Sequence, residues 1–288
     1  MLLEPLSGLL SAEAAAARQI IAVALAEDVG TGDVTSQAVI PVGIYFRGSI
    51  VARHDMVVAG LPIAAKVFQI VAPETTFTAR VSEGQRIVAG TILAEINGPA
   101  QGLLAAERTA LNLLQNLSGV ATETRAYVER LAGTGVTLLD TRKTIPGLRR
   151  LAKYATRVGG ACNHRFGLYD GVLIKDNHIA VCGSIQRAVQ SAREYKKEKQ
   201  IEVECDSIEQ VREAVESEVD IILLDNMPLE TLRLAVDLIA GRAKTEASGS
   251  VTLDSIRAIA ATGVDYISVG RITHSAPAVD IGLDWHAV

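Results

Sequence analysis

The sequence predicts an α/β protein in two parts, a compact α+β domain followed by an open or irregular (β/α) barrel. Three observations predict it. From Val136 onward six short apolar runs recur, at 136–143, 171–176, 201–206, 220–226, 244–250 and 265–271, each closing on a polar residue. The later runs start roughly 20–30 residues apart, the spacing that βα units require. Helix start signals lie between them: Pro146, Ser184, Ser207 with Gln210 as a capping box, and Pro228. Continuously apolar strands are expected in a parallel sheet covered on both faces. No G-x-G-x-x-G motif follows the first run, which disfavours a dinucleotide-binding doubly wound sheet.

Upstream, Ser11 is expected to cap a helix through AEAAAARQIIAVALAED, with Ile20, Ile21, Ala24 and Leu25 on one face. GTGDVTS then reads as a loop. Residues 45–60 alternate as strands around a turn at Arg53-His54-Asp55, LPIAAKVFQIVA is a short helix, and TFTARVSEGQRIVAGTILAEINGPA gives further strands with glycine turns. These elements amount to a domain of about 100 residues, large enough to stand alone. The next helix, near Leu103–Gly119, is apolar except for a stripe of Arg108, Asn112 and Gln115.

Composition narrows the class. A chain of 288 residues with 49% hydrophobic and 4% aromatic residues has the content of an Ala/Val/Ile/Leu-rich globular α/β protein. Its pI near 5.6 argues against general nucleic-acid affinity. No apolar run approaches the ~18–20 residues that span a bilayer. The opening MLLEPLSGLL has no Lys or Arg, so it lacks the basic region of a secretory signal. Cys162, Cys182 and Cys205 are odd in number and lack ligand spacing, which favours reduced thiols in a cytoplasmic protein over a zinc site.

Against this acidic background, Asp140–His178 carries eight basic and three acidic side chains. That local excess of five sits in a chain of net charge −5, so the remainder carries −10. Arg149, Arg150, Lys153 and Arg157 follow helical spacing and are expected to form a solvated face. The others lie where apolar runs end. In barrels the active site forms at the C-terminal ends of the strands. Those ends read Arg142-Lys143, Lys175, Glu204, Asp225, Ser248-Gly249-Ser250 and Val269-Gly270-Arg271, with His164 and Arg165 in the loop before the second run. Backbone N–H groups of the two small-residue loops can wrap a phosphate. Arg142, Lys143, Arg165 and Lys175 suit several negative charges. Glu204 and Asp225 then face something positive, either a Mg²⁺ held partly through water or a developing cationic transition state. The implied substrates are polyanionic and at least one carries phosphate.

At these residues DTRKTIPGLR, GGACNHRFGLYDGVLIKDNHI, VEC, LLDN, EASGS and ISVGRITHS resemble quinolinate phosphoribosyltransferase, and the likeness continues upstream through LAEDVGTGDVTS and ERTALNLLQNLSGVAT. The resemblance implies an N-terminal α/β sandwich over residues 1–115, an open barrel over 116–274, and a tail from about 275 that packs back on the sandwich. It implies a homodimer, Mg²⁺ as cofactor, and formation of nicotinate mononucleotide, pyrophosphate and CO₂ from quinolinate and phosphoribosyl pyrophosphate, a step towards NAD. Quinolinate binding is thereby carried onto Arg142, His164, Arg165 and Lys175, with Arg108 supplied by the other subunit, and Thr141 is an implied substrate contact. Phosphoribosyl pyrophosphate contacts are carried onto Lys143, Glu204, Asp225, the loops Ser248-Gly249-Ser250 and Val269-Gly270-Arg271, and His274. Lys143, Lys175, Glu204 and Asp225 are the implied catalytic set, and Glu204 and Asp225 the implied metal ligands. Departures are few: Ile145 stands where Thr is common, Ala161-Cys162 replaces part of a glycine-rich run, and Ser250 replaces a frequent Gly. The Ser250 hydroxyl either reaches a phosphate or caps a helix. Rival readings are a Schiff-base aldolase using Lys175, a related molybdenum-uptake protein, and a non-catalytic phosphate-ligand sensor.

Overall fold

Alternating apolar residues between Tyr45 and Pro99 fold into antiparallel strands that bury one face and bind helices on it. The structure, a computed structural model, describes residues 6–195 and 199–286; residues 1–5, half of the stretch read against a secretory signal, lie outside them. The chain forms two compact units. One holds the residues up to Arg125, Thr144–Gly160 and the residues from Thr273; the other holds Ala126–Lys143 and Ala161–Ile272.

The first unit begins with α1 (Ser11–Asp28) and α2 (Val34–Val39). Ser11 is the first residue of α1 rather than its cap. The N–H of Leu10 is taken instead by the Glu13 carboxylate, reaching back at 2.8 Å. The GTGDVTS segment, expected as a loop, contains a helix start. Asp33 accepts the N–H groups of Thr35 and Ser36 at 3.1 and 3.0 Å and so opens α2. Next come β1 (Tyr45–Ala52), β2 (Met56–Val57), α3 (Leu61–Val71), β3 (Thr76–Ala79), β4 (Arg86–Ile87), β5 (Ile92–Pro99) and α4 (Ala100–Arg130). The main sheet runs β12-β1-β5-β3, all antiparallel, with β12 (Ile281–His286) supplied by the tail. Ile50, Leu93, Ile96, Phe68, Leu103 and Leu114 meet in its core.

Helix α4 continues unbroken through the expected domain boundary at 115/116. Gln115, expected on a polar stripe, is half-buried, and its Nε2 donates to the Ile281 carbonyl at 2.8 Å. The tail crosses α4 so closely at Gly119 that a methyl group there would meet the Pro277 carbonyl and the Ala278 Cα within 3.0 Å. Helix α5 (Arg149–Gly159) belongs to this unit, and the expectation of a solvated basic face on it fails. Lys153 is fully buried, and the exposed Arg157 reaches the buried Glu13 at 2.7 Å. Leu151, Tyr154 and Ala155 join the core, and the Tyr154 hydroxyl bonds the Glu83 carboxylate that also takes the N–H groups of Gly60 and Leu61.

The second unit contains β6 (Thr137–Leu139), β7 (Val172–Ile174), α6 (Asp176–Cys182), α7 (Ile185–Tyr195), β8 (Ile201–Cys205), α8 (Ile208–Glu216), β9 (Ile221–Asp225), α9 (Leu229–Ile239), β10 (Lys244–Ser248), α10 (Ile256–Ala260) and β11 (Tyr266–Ser268), with α11 (Arg271–His274) at its end. Six parallel strands lie in the order β6-β11-β10-β9-β8-β7, an open α/β barrel whose first two strands are its edges. Val203, Cys205, Ile222, Leu224, Ala247 and Ile267 pack outward with the helices. Ser207 caps α8 through the Gln210 N–H, while the Gln210 side chain reaches the Asp206 N–H at 2.8 Å. Among the described residues no helix is long and apolar enough to cross a membrane.

Candidate active site

Strand geometry decides which side chains share a face. Residues two apart point the same way, so Glu202 and Glu204 on β8, Leu223 and Asp225 on β9, and Glu246 and Ser248 on β10 all point opposite to the outward core. Parallel register sets Glu204 and Glu246 on either side of Leu223, and Ser248 beside Asp225. The inner face opens into a cavity of about 510 Å³. It is lined by Thr141, Arg142, Lys143, His164, Arg165, Lys175, Glu204, Asp225, Ser248, Gly249 and Ser250, together with Asn226, Glu246, Ser268 and two leucines.

The cations are held by the loops that follow the strands. Asp140, fully buried at the end of β6, accepts the Asn163 amide at 2.6 Å and the His164 N–H at 2.9 Å. This fixes the Asn163–Arg165 loop across the barrel mouth. Arg165 donates to the Gly171 carbonyl at 3.0 Å. Burial, and then the neighbouring Arg142, hold the Arg165 guanidinium below its ordinary proton affinity. Two guanidinium groups in one cavity, one partly desolvated and each felt by the other, are an arrangement that an anion between them relieves. Asp170 shapes the rest of this loop. Burial works to raise its carboxyl, but the Gly167 and Phe166 N–H groups outweigh burial and set it below the usual range. Lys175 is ion-paired with Glu204.

Beneath the cations lies a pair that sequence reading missed. Glu202 and Glu246 are 5% and 1% exposed. His164 Nε2 lies 3.1 Å from Glu202 and 3.6 Å from Glu246. The Arg165 N–H donates to His164 Nδ1 at 2.8 Å, so the imidazole accepts on one side and donates to the glutamates on the other. Glu246 lies beside Glu202 and Ser268; burial and then the Glu202 charge push its carboxyl up to about 8. His164, Glu202 and Glu246 bring ligand atoms within 4.8 Å of one another. A carboxyl that keeps its proton, however, relieves its acidic neighbour there as a cation would. The expected metal pair, Glu204 and Asp225, faces the cavity from adjacent strands with hard oxygen donors of the kind magnesium takes.

The remaining expectations fare differently. Arg108 is exposed on α4, in the first unit. Val269 is buried and its N–H donates to the Leu139 carbonyl at 3.0 Å, so it cannot wrap a phosphate through that group. The second loop is thereby reduced to Gly270 and Arg271, at the start of α11 and outside the cavity lining. His274 is exposed and bonds Ser275. Ser250 caps no helix, because Ser255 occupies the N-cap of α10; it lines the cavity with a left-handed φ of +49°.

Residues 120–284 match the family described as "Quinolinate phosphoribosyl transferase, C-terminal domain", and residues 33–118 match "Quinolinate phosphoribosyl transferase, N-terminal domain". The chain belongs to the quinolinate phosphoribosyltransferase family. Among its relatives, a "Probable nicotinate-nucleotide pyrophosphorylase [carboxylating]" of Bacillus subtilis (strain 168) is 46% identical, covering 90% of this chain and 89% of the relative. A "Nicotinate-nucleotide pyrophosphorylase [carboxylating]" of Mycobacterium leprae (strain TN) is 45% identical, with 93% and 97% covered. The solved nicotinate-nucleotide pyrophosphorylase from Francisella tularensis superposes with a TM-score of 0.91 at 39% identity, over 94% of this chain and 96% of that one. The quinolinate phosphoribosyltransferase fold is therefore shared along nearly the whole chain.

Proposed function

We infer that the barrel cavity joins quinolinate to the ribose of phosphoribosyl pyrophosphate and decarboxylates the adduct to nicotinate mononucleotide, a step in NAD biosynthesis. The observation that carries this reading is that one cavity holds the adjacent Arg142 and Arg165 together with Asp225 and the Ser248–Ser250 turn. The guanidinium pair suits the two carboxylates of quinolinate, and the turn suits a phosphate.

The ring nitrogen of quinolinate forms a bond to C1 of the ribose as the bond from C1 to pyrophosphate breaks. The transition state is loose and places positive charge on the sugar. Glu204 and Asp225 stabilise that charge, while Lys143 and Lys175 offset the charge of the departing pyrophosphate. Removing one such preorganised group commonly costs ~10²–10³ in rate. Glu204 and Asp225 would also hold a magnesium ion, partly through water, whose charge supplements that of the lysines. Once alkylated, the ring nitrogen is cationic. The bond from C2 to its carboxylate then breaks, CO₂ leaves, and the electron pair left on C2 takes up a proton. No covalent nucleophile is needed, so the protein's work is to bind, orient and desolvate.

The reading includes a cytoplasmic homodimer in which Arg108 of the partner subunit completes the carboxylate clamp. The exposure of Arg108 on α4 supports it. The deciding experiment follows labelled CO₂ from carboxyl-labelled quinolinate. Release is expected only with both phosphoribosyl pyrophosphate and Mg²⁺ present. Release without the pyrophosphate substrate would refute a mechanism in which alkylation precedes decarboxylation.

A further inference from the structure

We propose that Asn226 is a positioning residue that couples the Asp225 carboxylate to the Ser248–Ser250 turn, so that both grip one phosphoribosyl ligand as a unit. The inference rests on the reading of Asp225 and that turn given above. Asn226 follows β9 with a φ of +52°. A non-glycine residue keeps such a left-handed backbone only when its surroundings hold it there, and asparagine tolerates it better than most.

Three contacts hold it. Its N–H donates to the Ser248 carbonyl at 2.9 Å, tying the end of β9 to the first residue of the turn. Its Nδ2 donates to Asp225 Oδ2 at 2.9 Å, which fixes the orientation of that carboxylate. Its carboxamide also abuts Gly249: a Cβ at that glycine would lie within 2.8 Å of Cγ, Oδ1 and Nδ2 together. Gly249 has a φ of +98° and Ser250 one of +49°, so the turn is built from consecutive left-handed residues. The carboxamide of Asn226 occupies the space that keeps position 249 glycine. One side chain therefore touches both the acid that faces the sugar and the turn that faces a phosphate. Aspartate would fit the same backbone, but would set a second carboxylate against Asp225 in place of a donor.

The test is steady-state kinetics of the full chain with each substrate varied in turn. Asn226→Gly keeps the left-handed backbone and removes the carboxamide; Asn226→Asp keeps the shape and removes the donor. In both, KM for phosphoribosyl pyrophosphate is expected to rise about ten- to a hundredfold, the worth of one hydrogen bond to a charged group. KM for quinolinate should stay within about twofold, since no contact to its clamp is lost. Gly249→Ala should cost less in the Asn226→Gly background than in the parent, because the group its methyl would strike is gone. An unchanged KM for phosphoribosyl pyrophosphate in both Asn226 variants, with Asp225→Asn still raising it, overturns the coupling. If Asp225→Asn leaves that KM unchanged as well, the role of Asp225 itself is wrong and the coupling falls with it.

Discussion

Glu246 is a buried acid with an acidic neighbour, and that combination has a consequence in solution. Its ordinary value is 4.5 and the folded chain holds it near 8. Between those two values the folded state binds a proton that the unfolded chain has released. This group's contribution to stability is thus complete below about pH 4.5 and is lost as pH rises through 8. Glu246→Gln replaces the neutral acid with an amide of the same shape and removes the dependence. Relative to the parent, the variant should gain on the order of a few kcal/mol on going from about pH 5 to about pH 9, at ~1.4 kcal/mol for each tenfold change in proton affinity. Thermal unfolding of both proteins across that range measures it, and parallel curves would rule out a proton held by Glu246. The residue was within reach of sequence reasoning. Glu204 stands at a strand end, and Glu202, two residues earlier, must share its face, just as Glu246 must share that of Ser248. What hid them was the expectation of continuously apolar strands in a sheet covered on both faces.

At the scale of elements, the parallel strands were legible because each is a short apolar run bounded by a polar end and a helix start. The polar ends carried the cavity residues with them. Helix α5 misled because charge spacing does not distinguish a face turned to water from one turned to buried partners. Lys153 lies in the interior, and Arg157 reaches inward to Glu13. The start of α2 was obscured because Asp33 sits among glycines that read as a turn. The close crossing at Gly119 has no sequence signature beyond the glycine itself. It yields a prediction: Gly119→Ala pushes a methyl group into the Pro277 carbonyl, and the main chain cannot swing aside as a side chain would. Stability should fall by about 1–3 kcal/mol, the usual cost of overpacking. Hydrogen exchange should quicken in β12, whose carbonyl at Ile281 is held by Gln115 on the same helix. Unchanged exchange in β12 would mean that the tail is not anchored there.

For the whole molecule, the proposed sharing of sites between subunits can be tested by complementation. Arg108→Ala and Lys143→Ala should each be nearly inactive alone. In a mixed dimer one of the two sites regains both an intact Lys143 and an intact Arg108. After random exchange, activity should therefore recover to about a quarter of the parent's, as two-fold symmetry requires. No recovery after demonstrated exchange would place Arg108 in its own subunit's site or in none. The path of the chain carries a separate consequence. It enters the barrel unit at Ala126, leaves after Lys143, returns at Ala161 and departs for good after Ile272. No single crossover in the gene can therefore exchange the barrel alone: any piece spanning it brings α5 along, with Leu151, Tyr154 and Ala155 deprived of the core they fill. A contiguous exchange of Ala161–Ile272 spares α5 but leaves β6 behind, and the cavity cations Arg142 and Lys143 are inherited with the segment of the first unit that begins at the very next residue.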